Sequence, residues 1–244
     1  MWLCTWILSG HRNSHPIRRC AVKKQKTGRK KRGAAKKIKK NKKNKNIKKE
    51  VLFVLLDEYA DWEGAFLSTS LNFGVMPGSD KKYIPKTVAP TEKEVCSIGG
   101  FRTIPDYSFR NLPEDYAALI LIGGMQWNTP VAESLVPIVT KALQQGKIVG
   151  AICNAASFMA AHGFLNHVKH TGNTKEQLKL WGKENYTNEN GYIEKQCVYD
   201  KNIVTANGTG YMEFCRDILL LLQADTDENI MNSYKFHKYG LYNE

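Results

Sequence analysis

The stretch that decides the fold is Ile148–Ala161, IVGAICNAASFMAA. Ile148 to Ile152 form an apolar, small-residue run that reads as a buried strand, and from Asn154 the small and apolar residues read as a helix. Cys153 stands between them with no loop residues to spare. A strand, a single nucleophilic residue and a helix in direct succession form a nucleophile elbow, whose tight turn lifts the side chain above the sheet edge. The helix start directs free N–H groups and the positive end of the dipole at the sulfur, which by itself favours thiolate over thiol. The competing reading is a buried structural cysteine, since free cysteines are among the most buried side chains.

Working toward the N-terminus, Tyr116–Ile122 (YAALILI) is a second continuous apolar run. It leads into Gly123-Gly124-Met125-Gln126-Trp127. A glycine pair directly after a parallel strand brings backbone amides close to whatever occupies the carboxyl edge of the sheet, and it is equally a tight strand-to-loop turn. Between this strand and the elbow, Pro130–Gln145 fits one amphipathic helix stopped by Gly146. Further back, Val51–Leu56 (VLFVLL) has the uninterrupted apolar character of a strand covered on both faces. It is followed by DEYADWEGAFL, in which Asp61 is a candidate N-cap and Glu63 falls in the first helical turn. Carboxylates are common there because they favour the dipole, so Glu63 alone reads as a surface residue. The segment 82–110 holds short strand-like pieces around a Gly99-Gly100 turn.

Beyond the elbow, Phe164–Thr174 (FLNHVKHTGNT) is polar and carries His167 and His170 as acid–base candidates. His162 reads as a helix-end group. Strand-like pieces at Cys197–Tyr199 and Ile203–Thr205 flank an Asp200-Lys201-Asn202 turn, and Asn207-Gly208-Thr209-Gly210 introduces a helix over Tyr211–Ala224.

The net charge of +13 over 244 residues misleads. Residues 1–49 contain 19 of the 36 Lys and Arg and none of the 23 Asp and Glu, so the rest of the chain is mildly acidic. The Lys/Asn-rich segment 1–48 lacks a hydrophobic period and is expected to be disordered. It reads either as a basic arm for nucleic acid or as an extension upstream of the mature protein. The domain proper is expected over 49–244. The six cysteines show neither C-x-x-C nor zinc-ligand spacing, so a reducing cytoplasm is the expected setting. No apolar run is long enough to span a membrane, and the apolar start MWLCTWILSG precedes its positive charges, the reverse of a secretory signal. No phosphate-binding glycine fingerprint or metal constellation is visible, so neither cofactor nor metal is expected.

Alternating strands and helices predict an α/β fold, flavodoxin-like and doubly wound, with a mostly parallel sheet and its site at the carboxyl edges. VLFVLLDEYADWEGAF, ALILIGGMQW and IVGAICNAASFMAA, in this order and spacing, resemble the DJ-1/PfpI (ThiJ/PfpI) superfamily of the class I glutamine amidotransferase-like fold. The likeness covers residues 49–224 and includes the NGTG segment. It implies that Cys153 is the nucleophile and that Glu63 is the acidic residue whose protonated carboxyl hydrogen-bonds the sulfur. Gly124 and the Asn154 amide would form an oxyanion hole. Protease-like members carry a histidine directly after the cysteine, where this chain has Asn154. Other members carry a His or Tyr about 20 residues later, where it has Asn173, with His170 a few residues early.

The resemblance leaves two classes of function. One is a cysteine hydrolase, amidase or glyoxal-hydrating enzyme working on a small carbonyl or amide through a covalent intermediate on Cys153. The other is a redox sensor or stress-response protein whose Cys153 is oxidised to sulfinic acid. A homodimer is the expected assembly by the same resemblance.

Overall fold

The computed structural model describes residues 48–241, and the basic segment lies almost entirely outside them. The chain runs β1 (Lys49–Val54), α1 (Asp61–Phe73), β2 (Tyr83–Ala89), β3 (Val95–Cys96), β4 (Arg102–Thr103), β5 (Tyr107–Ser108) and β6 (Ala118–Leu121). It continues with α2 (Pro130–Glu133), α3 (Val136–Gln144), β7 (Ile148–Ile152), α4 (Asn154–Ala161) and α5 (Lys175–Gly182). β8 (Cys197–Asp200), β9 (Ile203–Ala206), α6 (Tyr211–Leu222) and α7 (Asp227–Tyr239) complete it.

Seven strands form one sheet in the order β5-β2-β1-β6-β7-β9-β8, parallel except for the antiparallel β8 edge. Its centre, β2-β1-β6-β7-β9, is the flavodoxin-like order, with the topological switch between β1 and β6. Side chains alternate across each strand, so Val51 and Phe53 pack with Leu67 of α1 and Phe214 and Ile218 of α6, while Leu52 and Val54 pack with Val139 of α3 and Phe158 of α4. Both faces are thus covered, as the unbroken apolar runs of β1 and β6 require. At Gly150 in β7 an added Cβ would lie 2.9 Å from both Phe214 and Ile218, so this glycine lets α6 pack directly on the sheet.

Several local readings are corrected. Pro130–Gln145 is two helices, because in a continuous helix the ring of Pro137 would clash with the carbonyl four residues earlier; the chain breaks at Ser134–Leu135 and Pro137 sits in the first turn of α3. β2 runs through Pro85 without interruption, because its outer neighbour β5 pairs only Val88–Ala89 and the Pro85 stretch lies on an open edge. Asp61 is not the cap of α1. Ala60 occupies that position, and Asp61 Oδ2 instead accepts the Gly99 N–H at 2.8 Å, tying α1 to the β3–β4 hairpin. α5 and α7 are mostly polar; both are started by threonine caps, Thr174 accepting from the Gln177 N–H and Thr226 from the Asn229 N–H. Among the described residues, no helix is long and apolar enough to cross a membrane.

Candidate active site

The carboxyl ends of β1, β6 and β7 meet beside the switch point, and each delivers one part of the site. β7 ends in Cys153, which has φ 59° and ψ −127° and caps α4. This positive φ on a non-glycine residue is the strained turn an elbow needs to expose its side chain. The sulfur-bearing residue is half-buried, and its neighbours in α4, Ala155 to Ala160, are buried.

β1 delivers Glu63. The loop after β1 is pinned to the loop after β6 by the Ala60 N–H on the Gly123 carbonyl at 2.9 Å and the Met125 N–H on the Glu58 carbonyl at 3.2 Å. α1 therefore starts against the sheet edge with Glu63 pointing inward, only 2% exposed. The reading of Glu63 as a surface carboxylate is corrected: its place in the first turn is as expected, but the turn faces the elbow. Oε2 accepts the Gly123 N–H at 2.8 Å. Oε1 is buried without a conventional hydrogen-bond partner and lies on the side of the Cys153 sulfur. Gly123 has no room for a side chain, since a Cβ would collide with Glu63 Oε2 and sit 2.6 Å from the Cys153 Cβ.

Electrostatically, the two residues form one unit. Burial pushes the Glu63 carboxyl up from 4.5 to about 7, against the opposing hydrogen bonds to Cys153 and Gly123. Burial, with the Glu63 charge beside it, pushes the Cys153 thiol up to about 11, against donors from Asn173 and the Asn154 backbone. The helix start alone predicts a lowered thiol; desolvation and the neighbouring carboxylate outweigh it here. Two desolvated anions in contact resist joint ionisation. Between about pH 7 and 11 the pair holds one proton and one negative charge.

Asn173 and Asn154 complete the arrangement. Asn173 Nδ2 donates to Cys153 Sγ at 3.4 Å, while its Oδ1 accepts the Gly208 N–H at 2.9 Å. Asn154 Nδ2 donates to the Gly124 carbonyl at 2.8 Å. Gly124 has φ +150°, and a Cβ there would run into the backbone of Glu58 and Tyr59. Gly208, from the NGTG turn, roofs the pair: its missing Cβ would lie 3.1 Å from the sulfur and 3.3 Å from Glu63 Oε1. Trp62 donates its indole N–H to the Gly208 carbonyl at 3.3 Å and holds this roof from outside.

His170 is not brought to the sulfur. It is fully buried, with Nδ1 on the Val168 carbonyl at 2.8 Å and Nε2 on the Tyr186 hydroxyl at 2.6 Å. Burial lowers its pKa, so it is a neutral, structural imidazole. His162 ends α4 and pairs with Glu133, and His167 is exposed. Two residues of the site, Gly208 and Gln177, do not stand out as site residues in the sequence. For the first, NGTG is a signal of the segment but not of the residue; the second lies in a short, mostly polar helix. Among the described residues, no group of His, Cys, Asp and Glu could hold a metal ion.

Comparison with known proteins identifies the family and the fold. A model of the DJ-1/PfpI family matches residues 49–221. A Bacillus subtilis protein described as the uncharacterized protease YdeA is 39% identical over 195 residues, covering 80% of this chain and 93% of that protein. A second B. subtilis protein, the uncharacterized protease YoaZ, is 29% identical over 78% of this chain and 91% of its own length. Among solved structures, a thiJ/pfpI family protein from Bacillus anthracis is 29% identical with a TM-score of 0.72, covering 80% of this chain and 92% of the other. A DJ-1 superfamily protein from Agrobacterium tumefaciens is 30% identical with a TM-score of 0.69, covering 77% and 97%.

Proposed function

The chain belongs to the DJ-1/PfpI family, and on that premise we propose that it is a cysteine-dependent enzyme acting on small reactive carbonyl compounds, 2-oxoaldehydes in particular. The observation that carries this reading is the Glu63–Cys153 pair, a buried carboxyl raised to about 7 and set beside the elbow sulfur. A carboxylate with a pKa near 7 is well matched to take a thiol proton and give it back.

In the proposed reaction the sulfur attacks the aldehyde carbon as the thiol proton passes to Glu63. That proton then goes to the carbonyl oxygen, giving a hemithioacetal. The C1 hydrogen leaves as a proton to Glu63 and returns to C2, while the C1 hydroxyl proton goes to the C2 oxygen. The product is the thioester of a 2-hydroxy acid. Water cleaves the thioester, releasing the acid and restoring the thiol. The sum is one aldehyde plus one water, with no external oxidant or reductant. The backbone N–H groups of Gly124 and Asn154 are the donors we assign to the developing oxyanion.

This chemistry is favoured over peptide hydrolysis because no amine has to be expelled. A Cys–His peptidase needs an imidazole to protonate its leaving group. The residue after the nucleophile is Asn154, and His170 is engaged by Val168 and Tyr186. The relatives carry the word protease in their descriptions; for this chain the pairing of acid and thiol favours carbonyl chemistry. The second reading is a redox sensor. It is supported by Glu63 Oε1, buried beside the sulfur, and the Asn173 N–H, which could hold the oxygens of a sulfinic acid on Cys153. Cys96, Cys153, Cys197 and Cys215 are all free thiols, which suits a reducing cytoplasm, and we infer a homodimer from the family.

The test is methylglyoxal turnover with product detection, beside intact-mass analysis after mild peroxide. Formation of the 2-hydroxy acid that disappears in Cys153→Ser supports the enzyme. Addition of two oxygens to Cys153 with no turnover supports the sensor instead.

A further inference from the structure

Three side-chain amides stand in line beside the elbow. Gln177 Nε2 donates to Asn154 Oδ1 at 2.7 Å, a short, strong contact. Asn173 Nδ2 lies 3.5 Å from the same oxygen and 3.4 Å from the Cys153 sulfur. Amide orientation is ambiguous when an amide meets only other amides, but here each end is fixed by a backbone group of one polarity. The Gly124 carbonyl can only accept, so Asn154 must turn Nδ2 to it and present Oδ1 to Gln177 and Asn173. The Gly208 N–H can only donate, so Asn173 must turn Oδ1 to it and present Nδ2 to the sulfur.

Asn173 Nδ2 thus faces two acceptors, a sulfur and an amide oxygen. An amide oxygen is the better acceptor for a neutral N–H and would draw Asn173 off the sulfur if it lacked a donor. Gln177 supplies that donor. The backbone positions it for this: Thr174, next to Asn173, caps α5 by accepting the Gln177 N–H at 3.0 Å. Gly172 allows Leu178 to pack within 2.9 Å of where its Cβ would be, so the Asn173 loop is seated directly on α5.

We propose that Gln177 is a positioning residue: by satisfying Asn154 Oδ1 it keeps the Asn173 N–H on the Cys153 sulfur. It acts on the sulfur through two other amides. This rests on Cys153 being the reactive centre, and it adds to that reading a residue outside the motifs that carry it.

The test is the rate of Cys153 alkylation by iodoacetamide against pH in the full chain. The parent is compared with Gln177→Met, which keeps the length and loses the donor, and with Gln177→Glu, which replaces the donor by an acceptor. Gln177 is half-buried on a surface helix, and circular dichroism checks that each variant folds. Losing one hydrogen bond of about 1 kcal/mol slows alkylation at neutral pH about threefold to tenfold. Gln177→Glu slows it at least as much. In an Asn173→Ala background, Gln177→Met has no further effect. Unchanged rates in both Gln177 variants overturn the proposal, and so does an equal slowing with Asn173 already removed. Failure of the underlying reading looks different: Cys153→Ser would leave the measured rate of the parent intact.

Discussion

Gly123 donates its backbone N–H to Glu63 Oε2 at 2.8 Å, joining the end of β6 to the first turn of α1 across 60 positions of sequence. This bond aims the other carboxyl oxygen at the thiol. It also leaves no space at position 123, where a Cβ would collide with that carboxylate and press on Cys153. Gly123→Ala is therefore expected to destabilise the fold by about 1–3 kcal/mol, the usual range for overpacking. It should also slow the alkylation of Cys153 by displacing Glu63 from it. Denaturant unfolding together with alkylation checks both. A stable variant with unchanged reactivity would mean the three residues are not in contact.

The raised Glu63 pKa makes a stability prediction with a definite sign. A carboxyl that titrates at about 7 in the fold and near 4.5 when unfolded binds more protons in the native state between those values. Stability must then fall as pH rises from about 4.5 to about 7, by roughly 3 kcal/mol in all. Glu63→Gln removes this dependence. It should match the parent near pH 4 and exceed it near pH 8, as read from denaturant midpoints at each pH. Parallel curves for the two proteins would show that Glu63 is not desolvated in the native state.

Gly150→Ala separates the scaffold from the chemistry. Its Cβ would press on Phe214 and Ile218 at 2.9 Å, so a loss of about 1–3 kcal/mol is expected from strain against α6. Gly150 lies in the body of β7, three residues before the nucleophile. Under conditions where the variant is folded, the alkylation rate of Cys153 should stay within about twofold of the parent, a change of under 0.5 kcal/mol. A large drop would mean that the elbow geometry depends on the α6 contact.

The parts of this site legible in the sequence are those that come directly from strands. Continuous apolar runs mark β1, β6 and β7, and in a parallel sheet the residues just after each strand share one edge. Cys153, the glycine pair and the acidic turn of α1 could be placed together for that reason. The burial of Glu63 was not legible, because an acidic residue in a first helical turn is ordinary; what turns it inward is the pairing of Ala60 with Gly123, a contact distant in sequence. The thiol departs from its local reading for a related cause. The local dipole is written in the helix start, whereas desolvation and the Glu63 charge exist only once the chain is folded. Asn173 could be reached by counting from Cys153, but nothing local says that His170, three residues earlier, turns away to Tyr186. α5, and Gln177 with it, is short and mostly polar, so little apolar signal marks it as a helix.

The most direct test of a proton shared by Glu63 and Cys153 is the pH dependence of Cys153 alkylation, taken as the difference between the parent and Cys153→Ser, with Glu63→Gln alongside. If the two residues share one proton, the parent rate rises through an inflection near pH 7, where the pair first acquires its charge. This holds whether the carboxylate removes the thiol proton during attack or the thiolate is already present, since both have the same net protonation. In Glu63→Gln that inflection disappears or moves by a unit or more. A parent profile with one inflection near an ordinary thiol value of about 8.5, unchanged by Glu63→Gln, would contradict the shared proton and the function built on it.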